Sequence, residues 1–300
     1  MQAISSVRAR PSAPERAAEF NPAASPESAG IWNDVVSSKY DAFEVIMVGA
    51  AQSHGDQVWD ELPHEASSLV VDLGCAFGDA TRRLAARYPR ASVIGIDCAE
   101  LLLERARSRH GHVPNLEFVL ADAGRYAPPG PVDLCFARFG LMFFERPVSA
   151  LRHVRSWLRP GAALRALVWQ SREKNPWLTL ARDLVLRHVP PVDDGAPSCG
   201  PGPFSMADLD TTTAMLEAAG FRDLRFRSVE AAVFIGESAE RAADLQLSLG
   251  PAGEIMRHAQ SLGHPGVGAA RAEVVRALES HVTPAGVRLP SASWLISASV

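Results

Sequence analysis

The sequence predicts an α/β fold, a doubly wound sheet of seven strands that is parallel except for an antiparallel last strand. Three observations point to it. Short apolar runs alternate with longer amphipathic stretches, the runs are apolar throughout as strands covered on both faces must be, and turn or capping residues stand at the boundaries. With 300 residues, 47% of them hydrophobic, the chain has enough apolar surface for a substantial core.

The elements follow in order. Residues 1–28 are rich in Ala, Ser, Pro, Arg and Glu without a period, which predicts a disordered tail. Over residues 29–64 the apolar positions Val35, Phe43, Ile46, Met47 and Ala50 recur at helical spacing, predicting one or two helices ahead of the core. LVVDLG, SVIGID, LEFVLAD, VDLCFAR and LRALVW then read as five buried strands joined by crossover helices. Asp79 and Thr81 are candidate caps for the first of those helices, which Pro89 ends, and Arg159-Pro160-Gly161 stops the helix that begins near Pro147. Helices are expected in PWLTLARDLVLRHV and in SMADLDTTTAMLEAAG, the latter capped by Ser205 and closed by Gly220. FRDLRFRSVEAAVFI and SWLISASV complete the strands. The organisation expected is a tail, an N-terminal lid at 29–64 and one domain at 65–300, with helical insertions at about 176–204 and 237–282 over the strand ends.

Charge and composition exclude some partners. A net charge of −4 with interspersed signs gives no broad cationic face for nucleic acid. No apolar run approaches the roughly 18 to 20 residues that span a bilayer, and the N-terminus lacks a basic segment before an apolar one, so a cytoplasmic protein, monomer or homodimer, is expected. Cys75, Cys98, Cys135 and Cys199 lack metal-site spacing and read as free thiols, with no metal expected.

The chemistry concentrates where strands end. Asp72 closes the first strand, Gly74-Cys75-Ala76-Phe77-Gly78 forms a tight loop in which Gly74 and Gly78 leave room for a ligand to lie against the main chain, and a helix starts near Asp79. That places backbone N–H groups and a helix N-terminus at the carboxyl edge of a parallel sheet, where ligands bind. Asp97 ends the second strand, where it can accept both hydroxyls of a ribose. Asp122 ends the third, where it can accept from an adenine amino group while the Ala123 amide donates to the ring. The intervals 97 − 72 and 122 − 97 are both 25, one strand-helix-strand unit each. Nicotinamide dinucleotides also use a glycine loop, but their G-x-G-x-x-G is G-x-A-x-G here, and Asp79 would repel a pyrophosphate. A carboxylate there suits a cationic ligand instead.

These residues resemble the class I S-adenosylmethionine-dependent methyltransferases, whose fold is Rossmann-like, and a branch similar to the ubiquinone/menaquinone C-methyltransferases. DLGCAFGDAT is similar to the family's first motif, GIDCAE (with Cys98) to its second-strand acid, ADA at 121–123 to its adenine contact, and FARFGLMFFERPVSALRHVRSWLRPGAAL to its fourth strand, helix and fifth-strand turn. The resemblance implies that Asp97 holds the ribose, Asp122 and Ala123 the adenine, and Gly74, Cys75 and Arg138 the methionine end through their main chain. IWNDVVSSKY is similar to the branch's N-terminal element that closes over the cofactor, so Trp32 and Tyr40 are lid candidates, or else simply pack a helix.

The implied reaction transfers methyl from S-adenosylmethionine to an apolar or aromatic small molecule, quinone-like or a secondary metabolite, and leaves S-adenosylhomocysteine. The alternative is a protein that binds the cofactor without methyl transfer, or uses it for another outcome such as cyclisation. Phe139, Met142, Phe143, Trp169 and Trp177 either line the acceptor space or belong to the core. His54 and Glu173 are the general-base candidates, if one is needed. O-, N- and C-methylation all remain open.

Overall fold

A computed structural model describes residues 30, 32, 36–191 and 201–300. The predicted tail at 1–28, most of the connector after Val189, and Cys199 lie outside the described residues.

The sheet is built from β1 (Leu69–Leu73), β2 (Ser92–Asp97), β3 (Leu116–Leu120), β4 (Val132–Arg138), β5 (Leu158–Trp169), β6 (Arg222–Gly236), the two-residue β7 (Val282–Thr283) and β8 (Gly286–Ser299). The order is β3-β2-β1-β4-β5-β8-β6, with β7 pairing only with β8. Strands β1 to β5 pair in parallel, and β8 runs antiparallel to both β5 and β6. The α/β doubly wound sheet with an antiparallel last strand is thus present, extended by the short β7. Every residue of β1 is buried, as a central strand covered on both faces requires.

Helices α1 (Ser37–Ala42) and α2 (Glu44–Gly55) precede the sheet, and α3 (Asp79–Arg87), α4 (Glu100–His110) and α5 (Pro147–Trp157) are crossovers. Helix α5 shows why such a stretch folds: Pro147 sits in its first turn, where a missing N–H costs nothing, and Leu151, Val154 and Trp157 bury one face at helical spacing. Two capping expectations are corrected. Helix α3 begins after Gly78 with no side-chain cap, because the Thr81 hydroxyl donates instead to the Asp72 carboxylate at 2.7 Å. Helix α7 (Leu209–Ala219), which follows α6 (Pro176–Val185), is capped by Asp208, whose carboxylate accepts from the Thr211 amide at 2.8 Å. Ser205 is spent elsewhere, donating to the Met142 carbonyl at 2.7 Å. Gly220 closes α7 in the left-handed conformation, at φ 96°.

Strand β8 is longer than its apolar end suggested. Pro290 lies inside it, paired with Ala232, and Gly286 starts it at φ 85° after a tight hairpin from β7. Both residues mask a strand in sequence. Helices α8 (Ala239–Gln246), α9 (Gly250–Ser261) and α10 (Val267–Glu279) fill the expected helical region. The two stretches expected as separate insertions meet: α6 packs against α8, α9 and α10 in one helical cap. The largest core cluster joins the sheet to this cap, while a second on the opposite side packs Trp59, Leu62, Leu84 and Tyr88 against Val70 and Phe136. Among the described residues, no helix is long and apolar enough to cross a membrane.

Candidate active site

A cavity of about 460 Å³ opens at the carboxyl ends of β1, β2, β4 and β5. Its floor is the loop from Gly74 to Phe77 with Asp72, Asp79 and Asp97; α1, α2 and the start of α9 roof it. This is the edge of a parallel sheet at which the strand order reverses, between β1 and β4.

Backbone conformation shapes the floor. Gly74 has φ +70°, and a Cβ there would come within 3.1 Å of the Gly140 Cα, so the loops after β1 and β4 touch backbone to backbone. Ala76 at φ 46° and Phe139 at φ 64° also hold left-handed conformations that cost non-glycine residues energy. Both border the cavity. Gly78 serves a different end: it does not border the cavity, and a Cβ on it would lie 2.5 Å from Phe118 Cζ. Its missing side chain admits a ring, not a ligand.

The acids are held by main-chain donors. Asp97 accepts from the Ala76 amide at 2.8 Å through Oδ2 and from the Ala99 amide at 2.9 Å through Oδ1. The Cys98 amide also bonds this carboxylate, which leaves it a lone pair for a ligand hydroxyl. Burial pushes the Asp97 pKa up, with those amide bonds pulling the other way. Asp72 is buried, and desolvation raises its pKa to about 6 despite the Thr81 bond and the opposite charge of Arg138. Asp122 Oδ1 accepts from the Gly124 amide at 2.8 Å, and Ala123 borders the cavity beside it. Arg138 also borders it, its pKa lowered by burial and pulled back up by Asp72, Asp79 and Asp56. Cys75 and Cys98 complete this side, both thiols pushed up by burial. The result is a floor rich in negative charge, suited to a cation.

The opposite walls are aromatic. Trp32 meets Tyr40 and Phe143 edge-on, with ring centroids 5.3 and 5.0 Å apart. Phe139 stacks on Trp169 with centroids 3.7 Å apart, and Trp177 meets Trp169 edge-on at 5.1 Å. All six rings border the cavity. Met142 does not: it is buried, and its Sδ accepts from the Trp169 amide at 3.2 Å, which makes it core rather than acceptor wall.

Neither base candidate faces this space. His54 is fully buried behind the Phe139 and Trp169 rings. The Ser291 hydroxyl donates to the Ala231 carbonyl at 2.9 Å, so it accepts from His54 Nε2–H at 2.6 Å, and Nδ1 accepts from Ser293 at 2.8 Å. That is a neutral imidazole with both nitrogens used, and burial lowers its pKa to about 4. Glu173 lies exposed on the short turn Arg172–Lys174, outside the cavity, while its neighbour Arg172 borders it. Sequence reasoning missed Lys39, Glu145, Arg172, Glu254 and Arg257, five charged residues that border the cavity. In sequence they read as solvated helix and loop positions.

Comparison with known proteins agrees with this geometry. Residues 70–161 match the family model described as a methyltransferase domain. The trans-aconitate 2-methyltransferase of Methylobacterium radiotolerans is 40% identical over 103 residues, which is 34% of this chain and 38% of that protein. The enzyme of the same name from Azoarcus sp. is 36% identical over 103 residues, 34% of this chain and 40% of the relative. The chain thus aligns with less than half the length of these relatives, and their name differs from that of the quinone branch the sequence resembles. Among solved structures, the YcgJ protein of Bacillus subtilis superposes with a TM-score of 0.52 at 15% identity, covering 83% of this chain and 97% of its own. Phosphoethanolamine N-methyltransferase 2 of Haemonchus contortus, solved with phosphomonomethylethanolamine and S-adenosylhomocysteine, gives 0.54 at 13% identity, covering 92% and 60%. At such identities the likeness is one of fold, the mixed sheet flanked by helices.

Proposed function

We propose that this protein transfers a methyl group from S-adenosylmethionine to a small-molecule acceptor and releases S-adenosylhomocysteine. One observation carries the reading: Asp72, Asp97 and Asp122, at three consecutive strand ends, border one cavity together with the glycine loop. The match of residues 70–161 to a methyltransferase domain supports it.

The residues present fit the donor. Asp97 would accept from the ribose hydroxyls, its carboxylate already oriented by the Ala76 and Ala99 amides. Asp122 and Ala123 would meet the adenine edge. The missing Cβ at Gly74 lets the loop after β1 meet the loop after β4 backbone to backbone under the cavity, and Asp72 and Asp79 offer negative charge to a sulfonium and an ammonium. The bound donor supplies a methyl carbon activated by cationic sulfur, so that an acceptor lone pair bonds to carbon as the C–S pair returns to sulfur.

The protein's tasks are then to align the acceptor, exclude water and close the roof. Trp32 and Tyr40 form part of that closure, and Phe139, Phe143, Trp169 and Trp177 would hold an apolar acceptor body. With His54 and Glu173 both outside the cavity, acceptors that are already nucleophilic at neutral pH are favoured.

Calorimetry with adenosylmethionine tests the cofactor half, and adenosylhomocysteine release over an acceptor screen tests the transfer. Asp97→Ala should weaken cofactor binding by about 1.5 to 3 kcal/mol. Unchanged affinity would refute the ribose assignment, and no binding at millimolar cofactor would refute the function.

A further inference from the structure

Helix α9 turns one face to the cavity. Gly250, Pro251, Glu254 and Arg257 recur at helical spacing and border it, while Ala252, Ile255, Met256 and Ala259 on the other faces are buried in the core. The start of that face lies against the aromatic end of the cavity. Gly250 holds φ +67°, and a Cβ on it would come within 3.3 Å of the Leu178 carbonyl oxygen in α6, next to Trp177. Glu254, one turn further on, therefore belongs to the half of the cavity left for the acceptor, away from the floor that fits the donor.

The other carboxylates of the cavity are placed differently. Asp72 accepts from Thr81, Asp97 from main-chain amides and Asp122 from the Gly124 amide. Asp79 stands with Asp72 and Asp97 on the floor, and Glu145, on the turn after β4, is exposed. Glu254 is half-buried, and among the described residues no hydrogen bond or ion pair closes on it. Burial raises its affinity for a proton, and the charges of Arg257 on its own helix, of the exposed Arg172 after β5 and of Lys39 on α1 hold that rise in check. The same cations disfavour an ammonium beside Glu254. They favour a neutral O–H, whose oxygen gains negative charge as its proton leaves.

We propose that Glu254 is the general base of the transfer and that the acceptor is an aromatic hydroxyl, its ring against the stacked Phe139 and Trp169. The assignment rests on the function proposed above and names its acceptor chemistry. An oxygen lone pair bonds to the methyl carbon as the C–S pair returns to sulfur. The O–H pair stays with oxygen, and the proton passes to the Glu254 carboxylate. The products are an aryl methyl ether, S-adenosylhomocysteine and a protonated Glu254, which returns its proton to water. The roof thus supplies the base expected at His54 or Glu173. Phenols that ionise unaided need no such help, which makes the role measurable.

The test uses the full chain with adenosylmethionine and four probes: phenol, 2-naphthol, 4-nitrophenol and aniline. Adenosylhomocysteine release is followed from mildly acidic to mildly alkaline pH. Phenol or 2-naphthol should be methylated at a rate that rises with pH and levels off once Glu254 is ionised. Glu254→Gln should slow that reaction by about a hundredfold and leave a rate that keeps climbing with pH. On 4-nitrophenol, largely ionised at mildly alkaline pH, the same variant should lose less than threefold. Glu254→Asp should recover part of the loss on the neutral phenols, and adenosylhomocysteine affinity should change less than threefold in both variants. A merely structural role would slow ionised and neutral phenols alike. Adenosylmethionine binding, measured first by calorimetry on the same samples, separates the two readings: its absence counts against the function, not the base. With the donor bound, no phenol methylated, aniline methylated in place of the phenols, or an equal loss on neutral and ionised phenols would each overturn the inference.

Discussion

His54 shows at the scale of one residue how a side chain can look catalytic in sequence and be structural in the fold. Its ring ties α2 to β8 as a neutral imidazole, donating from Nε2 to the Ser291 hydroxyl and accepting at Nδ1 from that of Ser293. Burial lowers its pKa from 6.5 to about 4, so between those values the unfolded chain takes up a proton that the folded chain refuses. The stability it contributes is therefore complete above pH 6.5 and is lost as pH falls through about 4, on the order of 3 kcal/mol in all. Asp72 has the opposite sign: raised from 3.8 to about 6, it stabilises fully below 3.8, and that contribution is lost as pH rises through about 6. The two slopes oppose one another in the same window, and only a difference measurement separates them. The stability advantage of the wild type over His54→Gln, from urea unfolding, should shrink by about 2 kcal/mol between pH 7.5 and pH 5. A difference independent of pH would show that the ring is not held neutral.

Elements whose apolar pattern is local were legible in sequence; those fixed by distant contacts were not. Strand β1 and helix α5 declare themselves because burial on two faces, or on one, writes itself into consecutive residues. Strand β8 was legible only in its last part, since Pro290 and Gly286 follow from its pairing with β6 and β7, which lie far away in sequence. The floor of the site was likewise legible, one acid per strand end, whereas the roof was not. Arg172 and Arg257 are ordinary surface types until folding brings their segments over the cavity. Gly78 was read as ligand-facing because a glycine loop offers no sign of which glycine serves packing. That distinction is measurable at the start of α3. Gly78→Ala combines φ +78° with a Cβ 2.5 Å from Phe118, and should cost about 2 to 4 kcal/mol in urea unfolding. Gly161 has φ +80° with nothing within 4 Å of its Cβ position, so Gly161→Ala should cost only the backbone part, about 1 to 2 kcal/mol. Equal costs would mean that the Phe118 contact relaxes freely.

Across the whole molecule, the roof over the cavity is fastened unevenly. Its N-terminal part, α1, is tied to the body by the Arg105–Asp41 ion pair at 2.9 Å and the Lys39 bond to Ser248, and α2 begins with the Arg109–Glu44 pair. Exposed pairs of this kind contribute little, typically below 1 kcal/mol each. The C-terminal end of α2 is different: His54 is buried against β8, and Gln57 just beyond the helix donates to the Glu230 carbonyl of β6 at 2.9 Å. This uneven fastening predicts an opening of α1 about the fixed end of α2, which would uncover the cavity without disturbing the sheet. A ligand that bridges floor and roof must oppose it. At one hundred times its dissociation constant, adenosylhomocysteine should add about 2.7 kcal/mol to global stability. The local distribution of that gain is the sharper test. Amide exchange across Ser37–Ala42 should be fast in the free protein and slow markedly on ligand binding, while the last turn of α2 and strand β1 stay protected in both. Equal protection of α1 with and without ligand would mean that the roof is closed beforehand, and that acceptors enter between α9 and the turn after β5.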